Sequence, residues 1–227
     1  MTGIKLLACA FLAGCLALAC GGSGKEDPLA TELGSTEGRL TLGGNGPNQA
    51  VTDLNGLNVA QTMNVAFFAV YTKTVQAMTK DPQVTSNLRI TGNYSGYAIA
   101  DGGGVTDTTG GTTQSFSFKL TLFDYSDDGA LFFGGALECT GLIVWTGSQG
   151  AAKNVFIKDT IVMAGNYKAI ADYDHYILPT DSNGNLVSLF DTPGLNQIPN
   201  RDGEITFTSN GKTVKVYPYV PKPGGGL

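Results

Sequence analysis

QSFSFKLTLFDYSDDGALFFGGALECTGLIVW, residues 114–145, is the stretch that decides the fold. From Ser115 to Leu122 it alternates strictly between polar and apolar side chains, the period of a strand with one buried face. In its second half one parity is apolar, while Glu138 and Thr140 fall on the other. We therefore predict a long β-hairpin at the centre of a β domain, with residues 124–129 as its turn.

Three glycines interrupt the second arm of this hairpin: Gly134, Gly135 and Gly141. Glycine inside a strand marks a bulge, a bend or a place where another backbone comes close. We expect one of these three features in this arm.

A helix is predicted before the hairpin, over residues 57–79. Asp53 or Asn55 supplies a capping residue, and the Asp-Pro pair at 81–82 would end the helix. The β-rich run VAFFAVY, residues 65–71, leaves a β-hairpin open as the alternative. We expect the helix to pack an apolar stripe on the sheet, made of Val59, Met63, Ala66, Phe67, Val70, Thr74 and Ala77.

A partial repeat flanks the central hairpin. GNYSGYAIAD, residues 92–101, is echoed by the shorter GNYKAIAD, residues 165–172. Because a two-residue difference keeps every side chain on its original face of a strand, we interpret the two segments as related strands of one sheet. Chance similarity is the alternative. A second hairpin is predicted near the C-terminus, where Asn210-Gly211 separates two alternating segments.

Composition agrees with this fold class. The chain has 227 residues, 32 of them glycine, and only 15% are charged, which argues against a helical bundle. We therefore predict a mainly β fold, an antiparallel sheet arranged as a sandwich or a curved sheet, with one packed helix near residues 57–79. The net charge of −5 comes from scattered acids, so no basic patch invites nucleic acid.

The N-terminus has the pattern of an export signal. Residues 1–5 contain one lysine, and residues 6–19 are an apolar run that ends in small residues and is too short to span a bilayer. Cys15 is the last residue of the short box LAGC, and Cys20 is the last residue of the box ALAC. This segment resembles the signal peptide of bacterial lipoproteins, in which such a box is cleaved before a cysteine that becomes acylated. The resemblance implies a lipid anchor in the bacterial cell envelope, on the outer membrane or the cell surface.

Two cysteines compete for the lipid. Cys15 completes a box that matches the family letter for letter, but it leaves only a short apolar core before it. Cys20 follows a full-length apolar core and precedes the flexible sequence GGSG, although Ala17 replaces a larger aliphatic residue in its box. We assign the lipid to Cys20, with Cys15 as the alternative; a soluble signal cut near Ala19 is a further alternative.

The chain is thus predicted to have four parts. Residues 1–19 are the lipoprotein-type signal peptide, residues 20–55 a flexible tether, residues 56–220 the β-rich domain, and residues 221–227 a disordered tail.

Two acidic loops are candidate sites for a metal or another ligand. One lies in the predicted central turn and contains Asp124, Asp127 and Asp128. The other has alternate-oxygen spacing similar to that of calcium loops and contains Asp181, Asn183 and Asn185. The second loop departs from the EF-hand pattern, because Gly184 is misplaced and the terminal Glu is absent. The preference of Asp, Asn and Gly for turns explains both loops equally well. No metal is assigned.

The sequence carries no recognisable catalytic set. A single histidine, His175, excludes an HExxH zinc site, and no GxSxG nucleophile motif is present. Cys139 falls on the apolar parity of its strand, which favours a small buried side chain over a reactive thiol. His175 with Asp172 or Asp174 would form part of a catalytic relay only together with a serine, and that serine is not identified. A surface histidine is therefore the favoured interpretation. We predict no catalytic residue and no cofactor.

These features predict a membrane-anchored secreted lipoprotein that acts as a non-catalytic binding or scaffold module. Its partners would be the membrane, through the lipid, and an envelope protein, a glycan or an apolar ligand, but not nucleic acid. Two alternatives stay open. One is a carrier that encloses an apolar ligand between helix and sheet, and the other is a secreted hydrolase that uses carboxylates.

Overall fold

A computed structural model describes residues 38–41, 46–80, 87–106, 113–146, 149–181, 184–190 and 197–221. The predictions on the signal peptide, Cys15, Cys20 and Asn183 lie outside these residues, as does the Asp-Pro pair at 81–82. The described elements, in chain order, are β1 (Gln49–Ala50), α1 (Gly56–Lys80), β2 (Leu88–Thr91), β3 (Ser95–Thr106), β4 (Thr113–Ser126), β5 (Leu131–Thr146), β6 (Gln149–Gly165), β7 (Tyr167–Ile177), β8 (Gln197–Pro199), β9 (Glu204–Ser209), β10 (Lys212–Val216) and β11 (Tyr219–Pro221).

Nine of these strands form one sheet. Its spatial order is β10-β9-β7-β6-β5-β4-β3-β2, all antiparallel, and β1 joins β7 in parallel. β8 and β11 pair separately. Strands β2 to β7 follow one another in both sequence and space, as local hairpin connections favour. The predicted fold class is confirmed, and of its two arrangements the structure has the single curved sheet.

The central hairpin is formed by β4 and β5. Its register places Phe118 opposite Cys139 and Lys119 opposite Glu138. The apolar parity of β4 is buried, while Glu138 and Thr140 face solvent. The period-two pattern therefore identified the buried face correctly.

The turn of this hairpin is shorter than predicted. Asp124 has a φ of +48°, and the pairing of β4 with β5 shifts between Leu122 and Tyr125. This is a β-bulge, in which one extra residue changes the parity of the strand. It turns Tyr125 into the core, where the side chain is fully buried. Residues 124–126 thus belong to β4, and assigning them to the turn was wrong.

Part of the predicted tether hydrogen-bonds to the sheet at this bulge. Arg39 N donates to Leu122 O at 3.1 Å, and Asp124 N donates to Arg39 O at 3.0 Å. A Cβ atom on Gly134 would lie 2.5 Å from the carbonyl carbon of Arg39, so this glycine allows another backbone to come close. A second piece, within residues 46–50, pairs with β7 through β1.

The predicted helix is present as α1, which excludes a β-hairpin at residues 65–71. The carbonyl of Asn55 accepts the first helical hydrogen bond, from Val59 N at 2.9 Å. Its side-chain oxygen accepts from Thr52 N at 2.8 Å and fixes the chain that enters the helix. Within the described ranges, no helix combines the length and the apolar character needed to cross a bilayer.

The buried face of α1 is wider than predicted. The predicted stripe packs against the core, and the helix also buries Ala60, Asn64, Tyr71 and Val75. The helix lies against both edge strands, β2 and β10, as well as against β6 in the middle of the sheet. The sheet therefore curves around α1 and covers more of its circumference than one flat surface would.

The repeated segments lie in β3 and β7 of this sheet, with β4, β5 and β6 between them. Ala98 and Ala100 of β3 are buried, as are their counterparts Ala169 and Ala171 of β7. Both copies thus direct the same positions to the core, as the two-residue length difference predicted.

The Asn-Gly hairpin joins β9 to β10. Asn210 and Gly211 have φ angles of +51° and +73°, the pair of positive values that a type I′ turn requires. Ser209 pairs with Lys212 immediately beside the turn. This hairpin places β10 at one edge of the sheet.

Candidate functional site

A cleft of about 530 Å³ lies beside β10. Besides Val214, Lys215 and Val216 of β10, its walls come from the start of α1, the Leu189-Phe190 loop and the chain around β8 and β11. This volume is within the range of pockets that hold small ligands, roughly 300–1,000 Å³. The cleft is the candidate binding site.

Two of the residues that line the cleft are exposed apolar side chains. Among its lining residues Leu57 is 38% exposed and Phe190 is 51% exposed. Leu54 and Ile198, each next in sequence to a lining residue, are also exposed. Large apolar side chains exposed at a cleft are a feature of sites that bind another molecule.

The loop that carries Phe190 is held on the helix. Leu189 is buried, and its N–H donates to the side-chain oxygen of Gln61 on α1 at 2.6 Å. A single amide of α1 therefore fixes the backbone that presents the Phe190 ring at the cleft.

Three charged groups line the cleft: Asp53, Arg201 and Lys215. Lys215 pairs with Glu204, and this hydrogen bond lowers the pKa of the Glu204 carboxyl and raises that of Lys215. The Arg201 guanidinium lies 5.4 Å from the centre of the Tyr217 ring and has no carboxylate partner among the described residues. Arg201 is therefore the cleft cation whose charge no described carboxylate balances.

The acids of the central loop are held by separate donors. Asp124 accepts hydrogen bonds from both the backbone N–H and the hydroxyl of Thr41, at 2.6 and 2.5 Å. Asp128 accepts from the backbone of Ala130 at 2.7 Å and of Leu131 at 3.2 Å, as a turn-capping aspartate does.

The third acid of this loop, Asp127, belongs to a network that reaches α1. Its carboxylate accepts from Lys73 at 2.7 Å, from the Tyr125 hydroxyl at 2.8 Å and from Asn93 N at 2.8 Å. Burial raises the pKa of Asp127, but these hydrogen bonds and the lysine charge outweigh it and leave the pKa below its usual value.

In the second acidic loop, Asp181 accepts from the backbone and the side-chain amide of Asn185, at 2.9 and 3.0 Å. Asn183 lies outside the described residues. Over the ranges that the structure covers, no group of three or more His, Cys, Asp or Glu side chains is placed to hold a metal ion. A calcium or ligand site at either loop stays a prediction.

Cys139 is buried between α1 and the sheet, as its parity predicted. Its side chain is 4% exposed, and burial raises the pKa of the thiol to about 12. Burial likewise raises the pKa values of Tyr71, Tyr173 and Tyr176. These shifts arise from desolvation in a packed core and do not mark a catalytic cleft.

His175 lies on the exposed side of β7 with a φ of +46°. Asp172, considered above as its relay partner, accepts from the Thr160 hydroxyl at 3.0 Å. The surface interpretation of His175 agrees with its exposure.

The sequence did not predict the cleft. Its lining comes from positions between Asp53 and Tyr219, and each segment taken alone looks like a cap, a loop or a strand end. No protein-family model, curated protein or solved structure matches this chain.

Proposed function

We propose that this chain is a lipid-anchored module of the bacterial cell envelope that acts by binding rather than by catalysis, through the cleft beside β10. The signal-like N-terminus and Cys20 support the anchor and the compartment, since together they resemble a lipoprotein signal. The lipid would keep the β domain near the membrane while the cleft engages a partner.

One observation carries the binding role: a cleft of about 530 Å³ whose lining includes the half-exposed ring of Phe190. Exposing large apolar side chains to water is unfavourable, and covering them on binding recovers roughly 25 cal/mol for each Å². The fixed loop adds a rigid anchor point, and Arg201, which no described carboxylate pairs, adds a polar contact that selects the ligand.

The packing between α1 and the sheet favours the open cleft, rather than the space between helix and sheet, as the binding site. Phe67 of α1 contacts Phe133 of β5 with ring centres 5.0 Å apart, and Tyr71 contacts Phe116 at 5.3 Å and Phe118 at 5.8 Å. These ring contacts occupy part of the interface between α1 and the sheet, which favours the open cleft over a carrier's interior site.

The binding role is tested on the exported full chain, purified in detergent. Glycans, peptides and an apolar fluorescent probe are titrated against the wild type, Phe190→Ser and Phe156→Ser. Phe156 is the matched control, since it is 39% exposed on β6 and does not line the cleft. We expect at least one ligand to bind about tenfold more weakly to Phe190→Ser alone.

Failure of every ligand to bind, or equal binding by both variants, would exclude the cleft as the binding site. The same preparation is assayed for turnover of glycan, peptide and ester substrates. Turnover that disappears in Asp124→Asn, Asp128→Asn or Asp174→Asn, with the fold intact, would replace the binding role by a hydrolase.

A further inference from the structure

The outer edge of β10 carries main-chain groups that no described strand pairs. In a type I′ hairpin the two residues that flank the turn exchange hydrogen bonds, here Ser209 and Lys212, and the bonded pairs then recur at every second residue. Val214 and Val216 therefore bond to β9, while the N–H and C=O groups of Thr213 and Lys215 point away from it. Among the described residues β9 is the only strand that pairs with β10.

The cleft runs along this same edge. Val214 and Val216 are buried on the side of α1, whereas Lys215 points to the opposite face of the strand, yet all three line the cleft. A cavity that touches both faces of a strand lies beside its edge. We therefore expect the outward main-chain groups of Lys215 to face the cleft.

An unpaired strand edge is a template for another extended main chain. Side chains of an added strand would alternate between the two faces. Those on the side of α1 would continue the row formed by Val214 and Val216 and would meet Leu57 and Phe190. A strand added here therefore covers the exposed apolar side chains and the unpaired amides together.

Charge decides between a second copy of this chain and a different segment. β10 itself, Lys212–Val216, contains no acidic residue, so a second copy joined edge to edge along β10 would bring no carboxylate from that strand to Arg201. A segment with an acidic side chain has the complementary charge for Arg201, which has no carboxylate partner among the described residues.

We infer that the cleft takes up an extended peptide segment, which adds a strand to the outer edge of β10, places apolar side chains against Leu57 and Phe190, and directs an acidic side chain to Arg201. This inference rests on the proposed binding function and assigns the chemical class of its partner. Main-chain hydrogen bonds supply part of the affinity, and the alternate side chains supply specificity.

The test uses the exported full chain in detergent and a short blocked peptide in which valine alternates with threonine around one glutamate. One analogue is N-methylated at alternate residues, which removes main-chain donors, and another has lysine in place of glutamate. We expect at least tenfold weaker binding of the N-methylated peptide. The lysine analogue should bind several-fold more weakly, and that difference should shrink at high salt.

Amide hydrogen exchange locates the contact. On adding the peptide, the N–H groups of Thr213 and Lys215 should become protected, while Val214, already bonded to β9, serves as the internal control. Phe190→Ser should weaken peptide binding about tenfold, and Phe156→Ser should leave it unchanged.

Equal affinity for the N-methylated peptide, or no added protection at Thr213 and Lys215, would overturn strand addition. Phe190-dependent binding of a glycan or the apolar probe in the absence of peptide binding would overturn this inference and leave the binding function standing. Loss of both kinds of binding would overturn the two together.

Discussion

Lys73 Nζ lies 2.7 Å from Asp127 Oδ1 and joins the helix to the end of the central hairpin. The same ammonium lies 3.3 Å from the Tyr125 hydroxyl and 3.1 Å from the side-chain oxygen of Asn93. Both side chains are mostly buried, at 29% and 14% exposure. The contact therefore fixes the position of α1 relative to β4 by charge as well as by packing.

Acid should destabilise the fold through Asp127. Its pKa is lowered in the folded protein, so its contribution to stability is complete above the unfolded carboxyl pKa of about 3.9 and is lost as pH falls through the lower folded pKa. We expect Asp127→Asn to lower the free energy of unfolding at pH 7 by about 1–3 kcal/mol and to reduce its dependence on pH below about 4. Urea denaturation across pH measures both effects. An unchanged acid dependence would contradict the role of this pair, and Asp202→Asn, at an exposed carboxylate, is the control.

Two buried tyrosines should respond oppositely to removal of the hydroxyl. The Tyr173 hydroxyl has no hydrogen-bond partner in the part of the chain that the structure describes, whereas the Tyr176 hydroxyl accepts from Asn64 Nδ2 at 2.8 Å. We expect Tyr173→Phe to leave the free energy of unfolding unchanged or to raise it by up to about 1 kcal/mol, because a buried hydroxyl without a partner is removed. Tyr176→Phe should lower it by about 1–2 kcal/mol, because the buried amide of Asn64 loses its acceptor. Chemical denaturation of the two variants would refute this account if their order were reversed.

The alternation of β4 predicts unequal costs at neighbouring positions. Phe118 is 3% exposed and stacks on Tyr71 and Phe116, while Lys119 lies on the other face. We expect Phe118→Ser to cost about 3–5 kcal/mol, because it leaves a cavity and puts a hydroxyl in the core. Lys119→Ser should cost less than about 1 kcal/mol. Small and equal losses in urea denaturation would contradict the assigned core face.

These costs also show which parts of the fold could be read from the sequence. Phe118 was assigned to the core because period-two alternation is a local signal. Tyr125 was not assigned to the core, because its burial depends on a bulge in β4. The backbone groups at this bulge bond to Arg39, which is far away in the chain. Asn64 was missed for a related reason, since only the curvature of the sheet around α1 buries that side of the helix.

The cleft was still less accessible to sequence reasoning. It depends on the distance between Leu57, Phe190 and β10, which only the tertiary fold sets. The acidic loops were conspicuous by contrast, since their residues are close in sequence. Donors that bind Asp124 and Asp127 come from Thr41 and Lys73, which no local pattern linked to that loop.

Lipid attachment at Cys20 is tested independently of the fold. We expect Cys20→Ser to abolish incorporation of radiolabelled lipid and the matching increase in intact mass, because the acylated cysteine is lost. Cys15→Ser should keep both. The reverse result, with labelling lost only in Cys15→Ser, would move the anchor to Cys15.

If Cys20 carries a lipid, the attachment of Arg39 to β4 limits how far the domain can stand from the membrane. Gly38 follows Cys20 by eighteen residues, and a chain of that length spans at most ~60 Å when fully extended. A lipid at Cys20 would thus be connected to the folded domain by a segment of limited length. A force applied along this segment would act on the hydrogen bonds between Arg39 and the interior strand β4 before it acted on the helix or on the outer edge of β10.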